Sequence, residues 1–209
     1  MSTIAPDAVG IHVVDDDAAI RDSLEWLFRS RGLAVRSWES GEAFLAAWSP
    51  ATRGCIVLDV RMAGMSGLDV LDRLDRHGSI LPVVVLTGHG DVPVAVQSLK
   101  KGAIDFLEKP FDGGDLVTRV LAALDLEARR HAAATTTRAL EERLATLSPR
   151  EREVMDKMLD GLLNKQIADD LGIAMRTVEV HRARILEKFG VRSAIELAGR
   201  LADLRRAER

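Results

Sequence analysis

Short apolar runs alternate with helical patterns over the first 125 residues. Ile11-His12-Val13-Val14, Cys55-Ile56-Val57-Leu58 and Pro82-Val83-Val84-Val85-Leu86 are brief and rich in β-branched side chains, as strands are, the Cys55 run reading as a buried one, and Ala34 to Trp38 and Ala103 to Leu107 read as two further short strands. Between the first two runs, Ile20, Leu24, Leu27 and Phe28 recur at helical spacing from about Ala18 to Arg31, with Asp17 as N-cap and Gly32 as the stop. Further helices are predicted from about Gly41 to Trp48, around Leu68, Leu71 and Leu74, around Val92, Val96 and Leu99, and from Asp112 to beyond Leu124. Five strands alternating with five helices predict an α/β doubly wound, five-stranded parallel sheet of the flavodoxin-like kind.

Beyond residue 125 the strand signal stops. Residues 126–144 carry mixed charge and many alanines around Thr135-Thr136-Thr137; alanine, glutamate and arginine favour helix while β-branched threonines weaken it, so the segment reads as a helical linker. Leu140, Leu144 and Leu147 stand at helical spacing, either as a stripe facing a partner or as packing for the C-terminal helices. From 145 to 209 the pattern is helical throughout. Ser148, Pro149 and Glu151 form a capping box with proline in the first turn, opening a helix through Val154, Met155, Met158 and Leu159 to Gly161. Asn164 is positioned to cap a short helix through Ile167, Ala168 and Leu171, which Gly172 ends, and a third helix spans Met175 to Phe189. Short helix, glycine turn and longer helix is the helix-turn-helix order. The chain therefore divides into a doubly wound domain at 8–125, a linker at 126–144 and a small all-α domain at 145–209.

Composition refines this division. The 209 residues, 47% of them hydrophobic, supply cores for two modest domains. The net charge of −3 conceals a split, with 17 acidic and 12 basic residues over 1–124 against 11 acidic and 13 basic over 148–209. Met1 to Asp7 lacks the basic start and apolar run of a signal peptide, and no stretch has the length of a membrane span, so a cytoplasmic location with no membrane contact is expected. The single cysteine, Cys55, lies in a predicted buried strand; it has no internal disulfide partner and reads as packing rather than as a reactive thiol.

The chemistry concentrates at strand ends. Asp59 closes the Cys55–Leu58 run and precedes a glycine-bearing loop, which presents its carboxylate at the carboxyl edge of the sheet, where open α/β folds place ligands. Alone it would read as a turn cap. Asp15-Asp16-Asp17 follow the first strand, and three adjacent carboxylates repel one another unless a cation sits among them; Asp15, Asp16 and Asp59 would suit one hard divalent ion, and Mg²⁺ takes few protein oxygens and leaves room for a phosphate oxygen. Thr87-Gly88 ends the fourth apolar run, offering a hydroxyl beside an unobstructed backbone, and Lys109 after the fifth places a point charge where phosphate would lie.

These residues, with Val13-Val14-Asp15-Asp16-Asp17, Val57-Leu58-Asp59-Val60-Arg61-Met62, Met65-Ser66-Gly67, Thr87-Gly88-His89-Gly90-Asp91 and Asp105-Phe106-Leu107-Glu108-Lys109-Pro110-Phe111, resemble the receiver domain of two-component response regulators, most closely the FixJ type. The resemblance implies that Asp59 accepts a phosphoryl group from a partner sensor histidine kinase, that Asp15, Asp16, Asp59 and the Arg61 carbonyl hold Mg²⁺, and that Thr87 and Lys109 bind the phosphoryl oxygens. It also implies a cis Lys109-Pro110 bond and a switch through Thr87 and Phe106, while Arg61 and His89 stand where they could tune phosphate lifetime or simply be exposed loop residues. Ala63 occupies a position where the family usually has proline.

In the third C-terminal helix Val178, Ile185, Leu186 and Phe189 share one face, whereas Arg176, Glu179, Val180 and Ala183 fall on another at i, i+3, i+4 and i+7. That second stripe is what a major groove would meet, with Arg182, Arg184, Lys188 and, from the preceding helix, Lys165 reaching phosphates. A solvated basic face on a helical bundle would be the better reading if the charges stood alone, and Glu179 and Glu187 weaken the electrostatic case for DNA. The block Leu147 to Val154, Asn164-Lys165-Gln166-Ile167-Ala168, Leu171-Gly172-Ile173, Thr177-Val178-Glu179-Val180-His181-Arg182 and Glu187 to Val191 resembles the LuxR-type DNA-binding domain, which adds Thr177 to the DNA-facing set. Ala174-Met175 replace the usual Ser-Pro at the start of that helix. Together the two resemblances imply a non-enzymatic transcription factor that dimerises on phosphorylation, binds promoter DNA and acts on RNA polymerase. Two other readings remain: a Mg²⁺-dependent phosphohydrolase using Asp59, which leaves the helix-turn-helix unexplained, and a regulator working by protein contacts alone, which salt-dependent DNA binding would exclude.

Overall fold

The computed structural model describes residues 9–88 and 91–207, and the chain divides into two compact units between His131 and Ala132. In the first unit the strands are β1 (Gly10–Val14), β2 (Val35–Trp38), β3 (Gly54–Asp59), β4 (Val83–Thr87) and β5 (Asp105–Glu108). All pair in parallel in the order β2-β1-β3-β4-β5, the doubly wound arrangement expected. Every residue of β1, β3 and β4 is buried, which explains their uninterrupted apolar sequence.

The helices are α1 (Ala18–Arg29), α2 (Gly41–Ala47), α3 (Gly67–Arg76), α4 (Val92–Lys100) and α5 (Gly113–Ala145), whose residues from Ala132 on belong to the second unit. Asp17 caps α1 through a 2.8 Å bond from the Ala19 N–H. On one side of the sheet Leu24, Phe28, Val57, Leu86, Leu116 and Val120 form a core; on the other Phe44, Ile56, Leu58, Val70, Leu71 and Val85 form a second. Alternate residues of each central strand enter opposite layers, and the sheet is thereby sealed on both faces. Strand and helix ends differ from the sequence reading by one or two residues, because backbone pairing decides them: β3 begins at Gly54 and β5 at Asp105.

The second unit contains α6 (Pro149–Leu159), α7 (Asn164–Leu171), α8 (Met175–Phe189) and α9 (Ala194–Ala207). Val154, Met158, Ile167, Val178, Ile185, Phe189 and Leu197 build its core. Leu140 and Leu147 are buried in this core and Leu144 packs against it, so that leucine stripe is internal packing. Asn164 does not cap α7: it is the first helical residue, and the Leu163 N–H is satisfied by the Gln166 side chain at 2.8 Å. Gly172 ends α7 at φ +62°, a left-handed conformation that suits glycine and turns the chain into α8.

Candidate functional site

Sheet register assembles the first site. Val14 is opposite Leu58, so Asp15, one residue past β1, stands beside Asp59 at the last position of β3. Thr87 ends β4 and pairs with Glu108, which places Lys109 just beyond; the Lys109 N–H donates to the Thr87 carbonyl at 2.8 Å. The four strand ends converge. Lys109 Nζ donates to Asp15 Oδ2 at 2.8 Å and to Asp59 Oδ1 at 2.6 Å, and both carboxylates are buried, at 1% and 6% exposure.

The loop after β3 comes close because Gly67 permits it; a Cβ there would lie 2.4 Å from the Asp59 carbonyl oxygen. Burial lifts the Asp59 carboxyl above its ordinary range, while the Lys109 bond and the Arg61 backbone N–H draw it back. Burial would lower Lys109, but its bonds to Asp15 and Asp59 prevail and keep the ammonium charged. A lysine bridging two buried carboxylates supplies the compensating charge that the crowded aspartates require.

Thr87 is buried next to this bridge. Asp16 is exposed, and its Oδ2 accepts from the Ala63 N–H at 2.9 Å, a bond that proline at position 63 could not donate. The Arg61 guanidinium is ion-paired with Asp91 across the mouth of the site; no sequence signal marks that pair, since its members are thirty residues apart. Phe106 is outward, 36% exposed. The Lys109-Pro110 bond is cis, as the resemblance implied. His89 lies outside the described residues. Cys55 is buried and its thiol is pushed up to about 12, in keeping with a packing role.

The donor set suits a hard cation chemically, with three carboxylates and a backbone carbonyl at adjoining strand ends. Among the described residues no three acidic, histidine or cysteine side chains form a ready-made cage; Lys109 bonds one oxygen each of Asp15 and Asp59, and the Ala63 amide one of Asp16.

In the second unit, α8 turns Val178, Ile185 and Phe189 into the core. Arg176, Thr177, Val180, Ala183 and Arg184 are exposed, Glu179 and Arg182 are half-buried at its surface, and Lys165 is exposed on α7. Lys188 departs from the sequence reading. Its Nζ donates to Glu151 Oε2 at 2.7 Å and to the Thr146 carbonyl at 2.9 Å, so the ammonium anchors the end of α8 to the start of α6 instead of standing free for phosphate. Sequence inspection missed this because the partner is thirty-seven residues away.

Fold and sites together define a two-domain response regulator, a sheet-edge acidic pocket in one unit and a helix-turn-helix in the other. Residues 11–121 match the response regulator receiver domain, and residues 145–201 match the bacterial regulatory proteins of the luxR family. The chain belongs to the two-component response regulators with a LuxR-type DNA-binding domain, and so to the transcriptional regulators. It is 54% identical over 190 residues to the C4-dicarboxylate transport transcriptional regulatory protein DctR of Rhodobacter capsulatus, covering 90% of this chain and 96% of that one. It is 48% identical to the transcriptional regulatory protein FixJ of Azorhizobium caulinodans, covering 92% and 91%. Among solved structures, response regulator StyR matches with a TM-score of 0.86 and 41% identity over 92% of this chain and 98% of that one. Full-length FixJ from B. japonicum matches with a TM-score of 0.57 and 41% identity over 94% and 97%. Among the described residues no helix is long and apolar enough to cross a membrane.

Proposed function

We propose that Asp59 accepts a phosphoryl group from a partner sensor histidine kinase, and that this modification controls pairing of two copies and their binding to promoter DNA. The observation that carries the reading is the Asp59 carboxylate, buried at the end of β3 and held by Lys109 beside Asp15. An Asp59 oxygen attacks phosphorus, the P–O bond forms, and the P–N bond breaks with its electron pair returning to the donor imidazole. Lys109, already on Asp59, passes to a phosphoryl oxygen, and the Thr87 hydroxyl donates to another. Asp15, Asp16, Asp59 and the Arg61 carbonyl would hold Mg²⁺, which when bound supplies positive charge at the transferring oxygens. A cleft of about 490 Å³ lined by Ile20, Ser23, Leu24, Lys109, Pro110 and Phe111 opens beside Lys109 and supports approach by a large donor.

Recruitment of Thr87 vacates space into which Phe106 turns, remodelling the surface next to α4. That surface carries Val92, Val96 and Leu99, all exposed, an apolar face suited to a second copy. Two paired chains, each with a receiver at 8–125, a linker at 126–144 and a DNA-binding domain at 145–209, would set two α8 helices into successive half-sites of a two-fold element. Lys165, Arg182 and Arg184 then meet phosphates, Arg176, Thr177, Glu179, Val180 and Ala183 face base edges, and the bound dimer engages RNA polymerase. Labelling by a small phosphodonor in Mg²⁺ tests the acceptor: Asp59→Asn is expected to abolish it, and undiminished labelling would refute the assignment.

A further inference from the structure

We propose that Glu179 selects a C·G base pair in each half-site, its carboxylate accepting from the cytosine N4 amino group, with Arg176 as the residue that positions it. This rests on α8 being the helix that enters the major groove. From Met175 to Arg184 the helix carries Arg176, Arg182 and Arg184, and Glu179 is the single carboxylate. A carboxylate brought against DNA is repelled by the phosphates. It has no proton to offer, so it cannot bond phosphate oxygens or the N7 and O6 acceptors of guanine. The groove offers it two kinds of donor, the amino groups of cytosine and adenine. Adenine's amino group lies between two acceptors, its own N7 and the paired thymine O4, which oppose a second carboxylate oxygen on either side, whereas cytosine N4 has guanine O6 on one side only and a C5–H on the other.

Local geometry prepares Glu179 for this task. It lies in the second turn of α8, in the half of a recognition helix that meets bases. Its Oε2 accepts from Arg176 Nη1 at 3.1 Å, and among the described residues Oε1 takes no bond. Arg176, with a side chain 87% exposed, both holds the carboxylate's direction and offsets its charge against the phosphates. Val180, exposed on the adjoining position, offers an apolar contact for a thymine methyl next to the cytosine.

The test selects duplexes bearing a randomised 20-base-pair segment with the full-length chain, in Mg²⁺ and a small phosphodonor, and sequences the bound fraction. Wild type is expected to enrich a two-fold sequence with cytosine at one position of each half. Glu179→Ala should lose that preference alone, with discrimination between C·G and its replacements falling from about tenfold toward none. Glu179→Gln should move the preference to adenine, because an amide can both accept from N6 and donate to N7; a residue that merely braced the helix would produce no such exchange. Far-UV circular dichroism establishes that each variant is folded. If Glu179→Ala enriches the same sequence at every position and binds all duplexes more tightly, Glu179 is a surface charge and the inference falls. If wild type enriches nothing, the DNA-binding reading of α8 falls and takes the inference with it.

Discussion

Glu151→Ala should weaken the second unit while leaving the first untouched. The Glu151 side chain is buried, and its Oε2 accepts from the Ser148 N–H at 2.8 Å and from Lys188 at 2.7 Å. Loss of the cap bond costs about 1 kcal/mol. A charge-assisted bond adds about 1.5–3 kcal/mol in full burial. Lys188, with its side chain 34% exposed, keeps the Thr146 carbonyl and regains water, which reduces that share to about 1 kcal/mol. The total is about 2 kcal/mol. Linkage supports the same order: Lys188 first, then Ser148, hold the Glu151 carboxyl at about 2, against 4.5 in the unfolded chain. At about 1.4 kcal/mol per unit this sets a ceiling of about 3.5 kcal/mol before solvent screening is counted. Because the folded value is the lower one, the contribution is complete above about pH 4.5 and disappears as pH falls through about 2.

The distribution of chromophores provides the assay. All three tryptophans, Trp26, Trp38 and Trp48, lie in the first unit and the chain has no tyrosine. In a urea titration of the full chain, tryptophan fluorescence follows the first unit, while far-UV ellipticity follows both. Glu151→Ala should move the ellipticity change that fluorescence does not see to lower urea by about 1 M or more. Glu151→Gln, which keeps an oxygen for Ser148, should move it about half as far. The gap between wild type and Glu151→Ala should narrow by roughly half between pH 7 and pH 3. A shift shared equally by fluorescence, an unmoved ellipticity transition or a gap independent of pH would each refute the anchoring role.

Ala63→Pro removes the N–H that holds Asp16, and so should raise Mg²⁺ affinity several-fold, about 1 kcal/mol; calorimetric titration showing equal or weaker binding would mean that Asp16 is not restrained by the loop. Asp16→Ala in the same titration should weaken Mg²⁺ binding with the receiver still folded. Arg182→Ala should weaken binding to specific and scrambled duplexes alike and lower the salt slope by about one, whereas Val180→Ala should change preference among sites by about 1 kcal/mol. Lys188→Ala, by contrast, should leave the salt slope nearly unchanged and act on stability, since its ammonium is engaged inside the unit.

Much of both sites was legible in the chain because period and termination are local properties. The buried strands β1, β3 and β4 announce themselves as apolar runs, with Asp15, Asp59 and Thr87 at or just past their ends, and Lys109 follows the half-exposed β5; each of the four has chemistry that belongs at a sheet edge. Ser148 with Glu151 makes the reciprocal cap that its spacing predicts, and α8 runs from Met175 to Phe189 as read, because a helix start and a left-handed glycine stop depend on a few adjacent residues. Asn164 shows where local reasoning fails: two side chains compete for one end, and Gln166 wins by reaching back to Leu163.

What tertiary structure alone decided is the partner of each long or charged side chain. Lys188 and Arg182 are both basic residues of α8, yet one meets Glu151 at the start of α6 and the other stands at the surface. Arg61 finds Asp91, and Asp16 finds the Ala63 amide, by way of loops that strand order brings together. Hydrophobic period reports which face of an element leaves water, an average over many residues that survives small errors. Charge pairing turns on an ångström of separation between segments distant in sequence, and only the folded chain sets that distance.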